Sequence, residues 1–203
     1  MNFDLKKLIK PIINAAAAVL GLIFLTLTFF YATANGESLD IATGYGFAFN
    51  SSDYLSAMLE SEIFELTFLA TIAQYILLVS VLAAIVLLVV ALVNIAIALG
   101  SVKLPAAIFD KIENIAGKLF KATVLLAVLF ALLFGLLNTM DQGGLTIFYL
   151  PSIGAWLLAI LVIAQGFVAN IFAKKVAAPA AEAAPAAEAA PAAEEAKEES
   201  SEQ

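Results

Sequence analysis

The chain has 203 residues, 63% of them hydrophobic, and a formal net charge of −7 at pH 7. A soluble domain is about half apolar, so this composition indicates a protein that lies in a lipid bilayer. The sequence contains no cysteine and no histidine, and all 10 basic residues are lysine. These absences exclude disulfides, thiolate and histidine catalysis, and metal sites built from those side chains. The acidic balance also argues against nucleic-acid binding.

Four apolar stretches predict four membrane-spanning helices, because about 20 helical residues cross the hydrocarbon core. We expect the spans at about 11–32, 73–97, 116–138 and 147–171. The second stretch is uncharged from Leu66 to Gly100, so its first turns are placed at the outer interface. Residues 1–175 are therefore predicted to form an all-α integral membrane domain, a four-transmembrane-helix bundle.

The lysines predict the orientation of this bundle. They precede the first span, separate the second from the third and follow the fourth, whereas the outer loop 33–65 and the loop 139–144 contain none. Basic loops stay in the cytoplasm, so both termini are expected there (N-in/C-in). We expect the membrane to be a bacterial inner (plasma) membrane.

The amino-terminal stretch has a second interpretation. Lysines, an apolar run and then Ala32-Thr33-Ala34 resemble a cleavable signal peptide. The run is longer than the roughly 7–15 apolar residues that such peptides carry, so we favour an uncleaved first helix. Cleavage would leave three spans with the remaining topology unchanged.

Within the outer loop, residues 39–50 alternate strictly between bulky and small or polar side chains. One face carries Leu39, Ile41, Thr43, Tyr45, Phe47 and Phe49. This period of two predicts a short extracytoplasmic β-strand that lies on an apolar surface. A lone strand needs a partner strand, so we predict an interaction strand that pairs with another copy or another protein. The alternative is a loop that packs its aromatic side chains onto its own helices or the lipid interface.

Residues 176–203 repeat a six-residue unit, Pro-Ala-Ala-Glu-Ala-Ala, beginning at Pro179, Pro185 and, with one change, Pro191. Proline at this spacing interrupts helices, and alanine with glutamate offers too little apolar bulk for a core. A disordered, acidic cytoplasmic tail is predicted.

Apart from Lys118 and Lys121 at the start of the third span, the predicted spans contain polar side chains, Asn14 among them, but no charged ones. Gln74, Asn94 and Gln165 are the intramembrane polar candidates for a functional site. Their other role would be to hydrogen-bond between helices. The lysine-rich connection before the third span predicts an interfacial amphipathic helix.

No catalytic, cofactor or metal site is predicted, so we expect a protein that is not an enzyme. Four spans with a long first outer loop and a strand resemble claudin-type tetraspan proteins in outline. This loop, however, lacks that family's tryptophan motif and cysteine pair, so the resemblance implies topology alone. The leading expectation is a protein that acts by association, as a scaffold, an accessory subunit or a self-assembling tetraspan. Its partners would be the lipid bilayer and either a second copy or another membrane protein. The alternative is a small channel or carrier for a neutral or lipid-like solute.

Overall fold

The computed structural model describes residues 5–34, 37–50, 64–137, 140–142 and 145–181. In chain order the elements are α1 (Leu5–Phe24), β1 (Thr28–Ala34), β2 (Glu37–Thr43), α2 (Gly44–Phe49), α3 (Phe64–Ala98), α4 (Ala106–Leu137), β3 (Met140–Gln142), β4 (Leu145–Pro151) and α5 (Ile153–Ala181). The described part of the chain is thus mostly helical, with one small sheet.

The four long helices pack as a bundle. Helix α3 packs against α1 and most extensively against α4, and α5 packs against α1 and α4. These contacts close a ring in the order α1, α3, α4, α5, so α1 and α4 face each other across its centre. Fully buried apolar side chains fill that centre, among them Ala18, Leu77, Leu87, Phe120 and Leu158.

The bundle has two different ends. The start of α1, the turn between α3 and α4, and the close of α5 meet at one end. We call this the lysine end, because its exposed side chains include Lys7, Lys10, Lys103, Lys111 and Lys118. The four strands connect the helices at the opposite end, which we call the sheet end.

Three helices are long and apolar enough to cross a membrane, over Lys7–Phe24, Thr71–Ala98 and Ala106–Leu133. Helix α5 carries a shorter apolar stretch, Ile153–Val168. Large apolar side chains are also exposed on the outer faces of the bundle, such as Leu82 at 53% and Ile163 at 63%. A surface this apolar suits lipid rather than water, which indicates a membrane protein.

The prediction that residues 11–32 form one helical span is wrong in its last third. Helix α1 ends at Phe24, and Thr28–Ala34 forms the strand β1. This segment is rich in threonine and aromatic residues, which favour strands. Its backbone pairs antiparallel with β2 on one side and β4 on the other, so tertiary pairing decides the structure.

The strand predicted over residues 39–50 is correct only in its first half. Strand β2 ends at Thr43, whose Oγ1 accepts a hydrogen bond from the N–H of Gly46 at 2.9 Å and caps the short helix α2. Its pairing partner is β1 of the same chain, for example Thr33 opposite Ser38. The first apolar stretch itself thus provides one partner strand for β2, and pairing with another copy or another protein stays a prediction.

The fourth predicted span, 147–171, begins in a strand rather than a helix. Strand β4 pairs with β1 and with β3, giving the sheet order β2-β1-β4-β3. Pro151 ends β4, and α5 begins two residues later at Ile153. The helix continues to Ala181, so the first residues of the predicted tail are helical. Residues 182–203 lie outside the described residues.

Helix α3 ends in a Schellman motif. Gly100 has a φ of 72°, its N–H donates to Ile97 O at 2.9 Å, and the N–H of Ser101 donates to Ala96 O at 3.0 Å. Glycine takes this left-handed conformation without a Cβ clash. The tight turn brings α4 back alongside α3.

Candidate functional site: a buried carboxyl and amide cluster

One carboxyl group lies inside the bundle. Glu113, on α4, is only 1% exposed. Along α4 the buried side chains Ala116, Phe120 and Val124 follow it at helical spacing. Glu113 is thus the first residue of the inward-facing stripe of this helix, and its side chain is directed at the other helices.

Two asparagines bind the two oxygens of this carboxyl group. Nδ2 of Asn14, on α1, donates a hydrogen bond to Oε1 of Glu113. Nδ2 of Asn94, on α3, donates to Oε2. Hydrogen bonds to an ionised acceptor contribute about 1.5–3 kcal/mol each, so both amides stabilise a charged carboxylate.

The fourth helix joins the same network. Nε2 of Gln165, on α5, donates to Oδ1 of Asn14 at 2.7 Å. Gln165 is 4% exposed, and its Oε1 is buried without a hydrogen-bond partner. We refer to Asn14, Asn94, Glu113 and Gln165 as the amide–carboxyl cluster, to which each long helix contributes one side chain.

The cluster lies near the lysine end of the bundle. Asn94 is six residues before Gly100, roughly 9 Å along the helix. Asn14 follows Lys10 by four residues, roughly 6 Å along α1. The site is therefore shallow, one or two helical turns from the basic surface.

The carboxylate has no countercharge among the residues that the structure describes, since its recorded partners are the two neutral amides. The side chain of Lys121 extends instead towards α5. Its Nζ lies 3.9 Å from where a Cβ on Gly166 would be. A buried carboxyl group bound by neutral amides is rare among membrane helices.

Its chemistry does not resemble a multidentate metal centre. Within the described ranges, no three histidine, cysteine, aspartate or glutamate side chains group together. Both carboxyl oxygens face amide nitrogens rather than further oxygens, whereas hard cations take six or more oxygen ligands.

An apolar layer separates the cluster from the sheet end. The ring of Phe120 packs on Gly21 so closely that a Cβ built there would lie 2.5 Å from Cζ. Leu87, fully buried on α3, reaches to within 3.7 Å of a Cβ position on Gly117. These contacts fill the centre of the bundle between the cluster and the sheet end.

The structure places the sequence candidates in two separate regions. Asn94 and Gln165 both lie in the cluster. Nε2 of Gln74 instead donates to Ala48 O at 3.4 Å near the sheet end. It is 20 residues from Asn94, roughly 30 Å along α3.

The predicted interaction strand also lies at the sheet end, away from the cluster. Its face is divided between β2, which holds Leu39, Ile41 and Thr43, and α2, which holds Tyr45, Phe47 and Phe49. Phe47 is buried and packs on Phe30, with ring centroids 4.9 Å apart. Tyr45 stacks on Phe49 at 6.4 Å.

Sequence reasoning missed Glu113 as a site residue and did not single out Asn14. Glu113 stands in a segment with four lysines, which reads as a solvated surface. The available signal was its spacing: it precedes Ala116, Phe120 and Val124 by three, seven and eleven residues, on one helical face.

No protein-family model, no curated protein and no solved structure matches this chain.

Proposed function

We propose that this chain is a non-enzymatic four-span membrane protein that carries a small neutral or cationic solute, with the amide–carboxyl cluster as its site. The observation that carries the proposal is the buried, uncompensated carboxyl group of Glu113 where four helices meet. An ionisable side chain buried among membrane helices marks an ion or substrate site by default.

The proposed orientation follows from the two ends of the bundle. The exposed lysines lie at the end opposite the sheet, and the positive-inside rule assigns that end to the cytoplasm of a bacterial plasma membrane. Helix α5 serves as the fourth span in this proposal. The cluster then lies near the cytoplasmic surface, with the apolar side chains of Phe120 and Leu87 on its far side.

Flux into liposomes that contain the purified full chain tests the proposal. The probes are protons, reported by a trapped pH dye, K⁺ and Na⁺ under an imposed potential, and glycerol as a neutral solute. We expect flux of one of them above the rate of protein-free liposomes, and Gln165→Leu should abolish it.

The matched control is Gln74→Leu, which makes the same chemical change roughly 30 Å away along the bundle and should leave the flux intact. No flux of any probe with the wild-type chain would contradict the proposal. Equal flux in wild type and Gln165→Leu would show that the cluster is not the site.

Association is the second candidate function, and one observation favours it. Strand β2 lies at an edge of the sheet, where its outward backbone groups are available to another strand. Native mass spectrometry of the detergent-purified chain should then show an oligomer or a retained partner. Ser38→Lys, at an exposed β2 position, should dissociate it, because lysine on an edge strand opposes pairing. A single-chain mass for the wild type would contradict association.

A further inference from the structure

We infer that the amide–carboxyl cluster is a proton-binding site in which protonation of Glu113 reverses the direction of the hydrogen bonds running through Asn14 to Gln165. The site, if it acts in transport, does so under the function proposed above. The protonation itself is measured without any flux, so the two proposals can fail separately.

The directions of the hydrogen bonds indicate that Glu113 is ionised in the described arrangement. In the described arrangement Gln165 donates to Asn14 and Asn14 donates to Glu113. Both carboxyl oxygens act as acceptors. This is the pattern of an ionised carboxylate, which accepts only.

When Oε1 of Glu113 carries a proton, Asn14 must present a hydrogen-bond acceptor to it instead of a donor. The neutral acid has one O–H donor, which would meet the Nδ2 donor of Asn14. Turning the Asn14 carboxamide by half a rotation presents its Oδ1 to that O–H and directs its Nδ2 towards Gln165. The only covalent change is a proton transfer, in which an O–H bond of a hydronium ion breaks, the O–H bond of the neutral acid forms and a water molecule is left.

The unpartnered oxygen of Gln165 completes the reversed chain. Oε1 of Gln165 is buried and unpaired in the described state. Once Gln165 turns as well, this oxygen accepts the N–H that Asn14 now directs at it. The buried orphan acceptor thus has a use in the protonated state, while leaving it unpaired in the ionised state costs about 1–3 kcal/mol.

Asn94 differs from Asn14 in one respect. Across the described residues its only side-chain hydrogen bond is to Oε2 of Glu113. It donates to that oxygen whether or not Oε1 carries a proton. Asn94 is therefore a fixed donor that favours the ionised form, whereas Asn14 serves both forms.

The charged side chains on the helices around Glu113 are not members of the hydrogen-bond network that its protonation would reverse. Helix α1 carries Lys7 and Lys10, which are exposed, and α4 carries Asp110, Lys111 and Lys118, also exposed, with half-buried Lys121 directed at Gly166. The sequence of α3 has no charged residue between Leu66 and Ala98, and α5 has none before Lys174. The hydrogen-bond partners of Glu113 are the amides of Asn14 and Asn94.

Infrared difference spectroscopy on the full chain in lipid nanodiscs, titrated with pH, tests the inference. We expect a carboxylic-acid C=O band that appears on acidification and is missing in Glu113→Gln. Asn14→Leu removes the carboxamide that turns, so it should remove amide C=O signals that accompany the band in wild type. Asn94→Leu removes only the fixed donor and should leave those signals in place.

Circular dichroism establishes that each variant is folded. Amide C=O signals that persist unchanged in Asn14→Leu would overturn the reversal, because Asn14 would then not be a turning group. A folded wild type with no Glu113-dependent band at any pH would overturn the proton site itself.

A milder variant covers the case in which the leucine substitutions do not fold. In wild type the carboxyl band should appear together with amide C=O signals from the turning carboxamides. Gln165→Met should remove amide signals while the carboxyl band remains. Unchanged amide signals in Gln165→Met would contradict the reversed chain.

Discussion

At the scale of single residues, Glu113 is an ionisable side chain in an unusually buried position. A carboxylate is among the side chains least often fully buried, yet this one is 1% exposed and is bound by two neutral amides. Replacing the whole cluster by apolar residues of similar volume would remove the desolvation cost. Stability alone therefore gives no reason for a carboxyl group here, which supports a functional role.

The residues of the cluster show why the sequence predicted only part of the site. Asn94 and Gln165 stand out in sequence because their neighbours are uniformly apolar. Glu113 does not stand out, because Asp110, Lys111 and Lys118 surround it along the chain. Only the helical spacing shows that Glu113 lies on a different face of α4 from these charged residues. The composition of the segment does not show that difference.

At the scale of elements, the crossing of α1 and α4 depends on one small residue. Gly21 allows the Phe120 ring to occupy the centre of the bundle. A methyl group there would lie 2.5 Å from the ring, so Gly21→Ala should destabilise the protein by about 1–3 kcal/mol. Thermal unfolding in detergent measures the loss.

A double-mutant cycle shows whether that loss comes from the ring. Combining Gly21→Ala with Phe120→Leu should recover part of the lost stability, because the smaller side chain makes room for the methyl group. Gly117→Ala is the matched control, since its Cβ would meet Leu87 at an ordinary 3.7 Å. Additive losses in the double variant would mean that the two residues do not act through this contact.

Secondary structure was predictable where the apolar pattern is long and was missed where strands compete with it. Helices α3 and α4 contain the predicted spans 73–97 and, to within one residue, 116–138. The end of the first stretch and the start of the fourth are equally apolar, so hydropathy cannot distinguish a helix from the strands β1 and β4. Their pairing joins residues more than 100 positions apart, as Phe30 with Pro151, and no local pattern reports such a contact.

At the scale of the whole molecule, the two ends of the bundle predict opposite sides of the membrane. Because the chain contains no cysteine, single introduced thiols report position without background. Ser38→Cys, exposed in β2, should react with a membrane-impermeant maleimide on intact cells. Ser101→Cys, exposed in the α3–α4 turn, should react only after the membrane is opened.

The reverse labelling pattern would invert the proposed orientation and move the cluster to the outer side. Labelling of both thiols on intact cells would mean that the two ends do not lie on opposite sides of a sealed membrane. Either result would remove the topological part of the proposed function while leaving the geometry of the cluster intact.

The most direct measurement of the central claim, that the carboxyl group of Glu113 is the working group of this protein, is flux of the transported probe into liposomes with Glu113→Gln. The glutamine keeps the size of the side chain but cannot ionise, and it replaces one acceptor oxygen by an NH2 donor. We expect flux to fall to the rate of protein-free liposomes in Glu113→Gln and to persist in part in Glu113→Asp, which retains a carboxyl group. Wild-type flux in a folded Glu113→Gln protein would contradict the account.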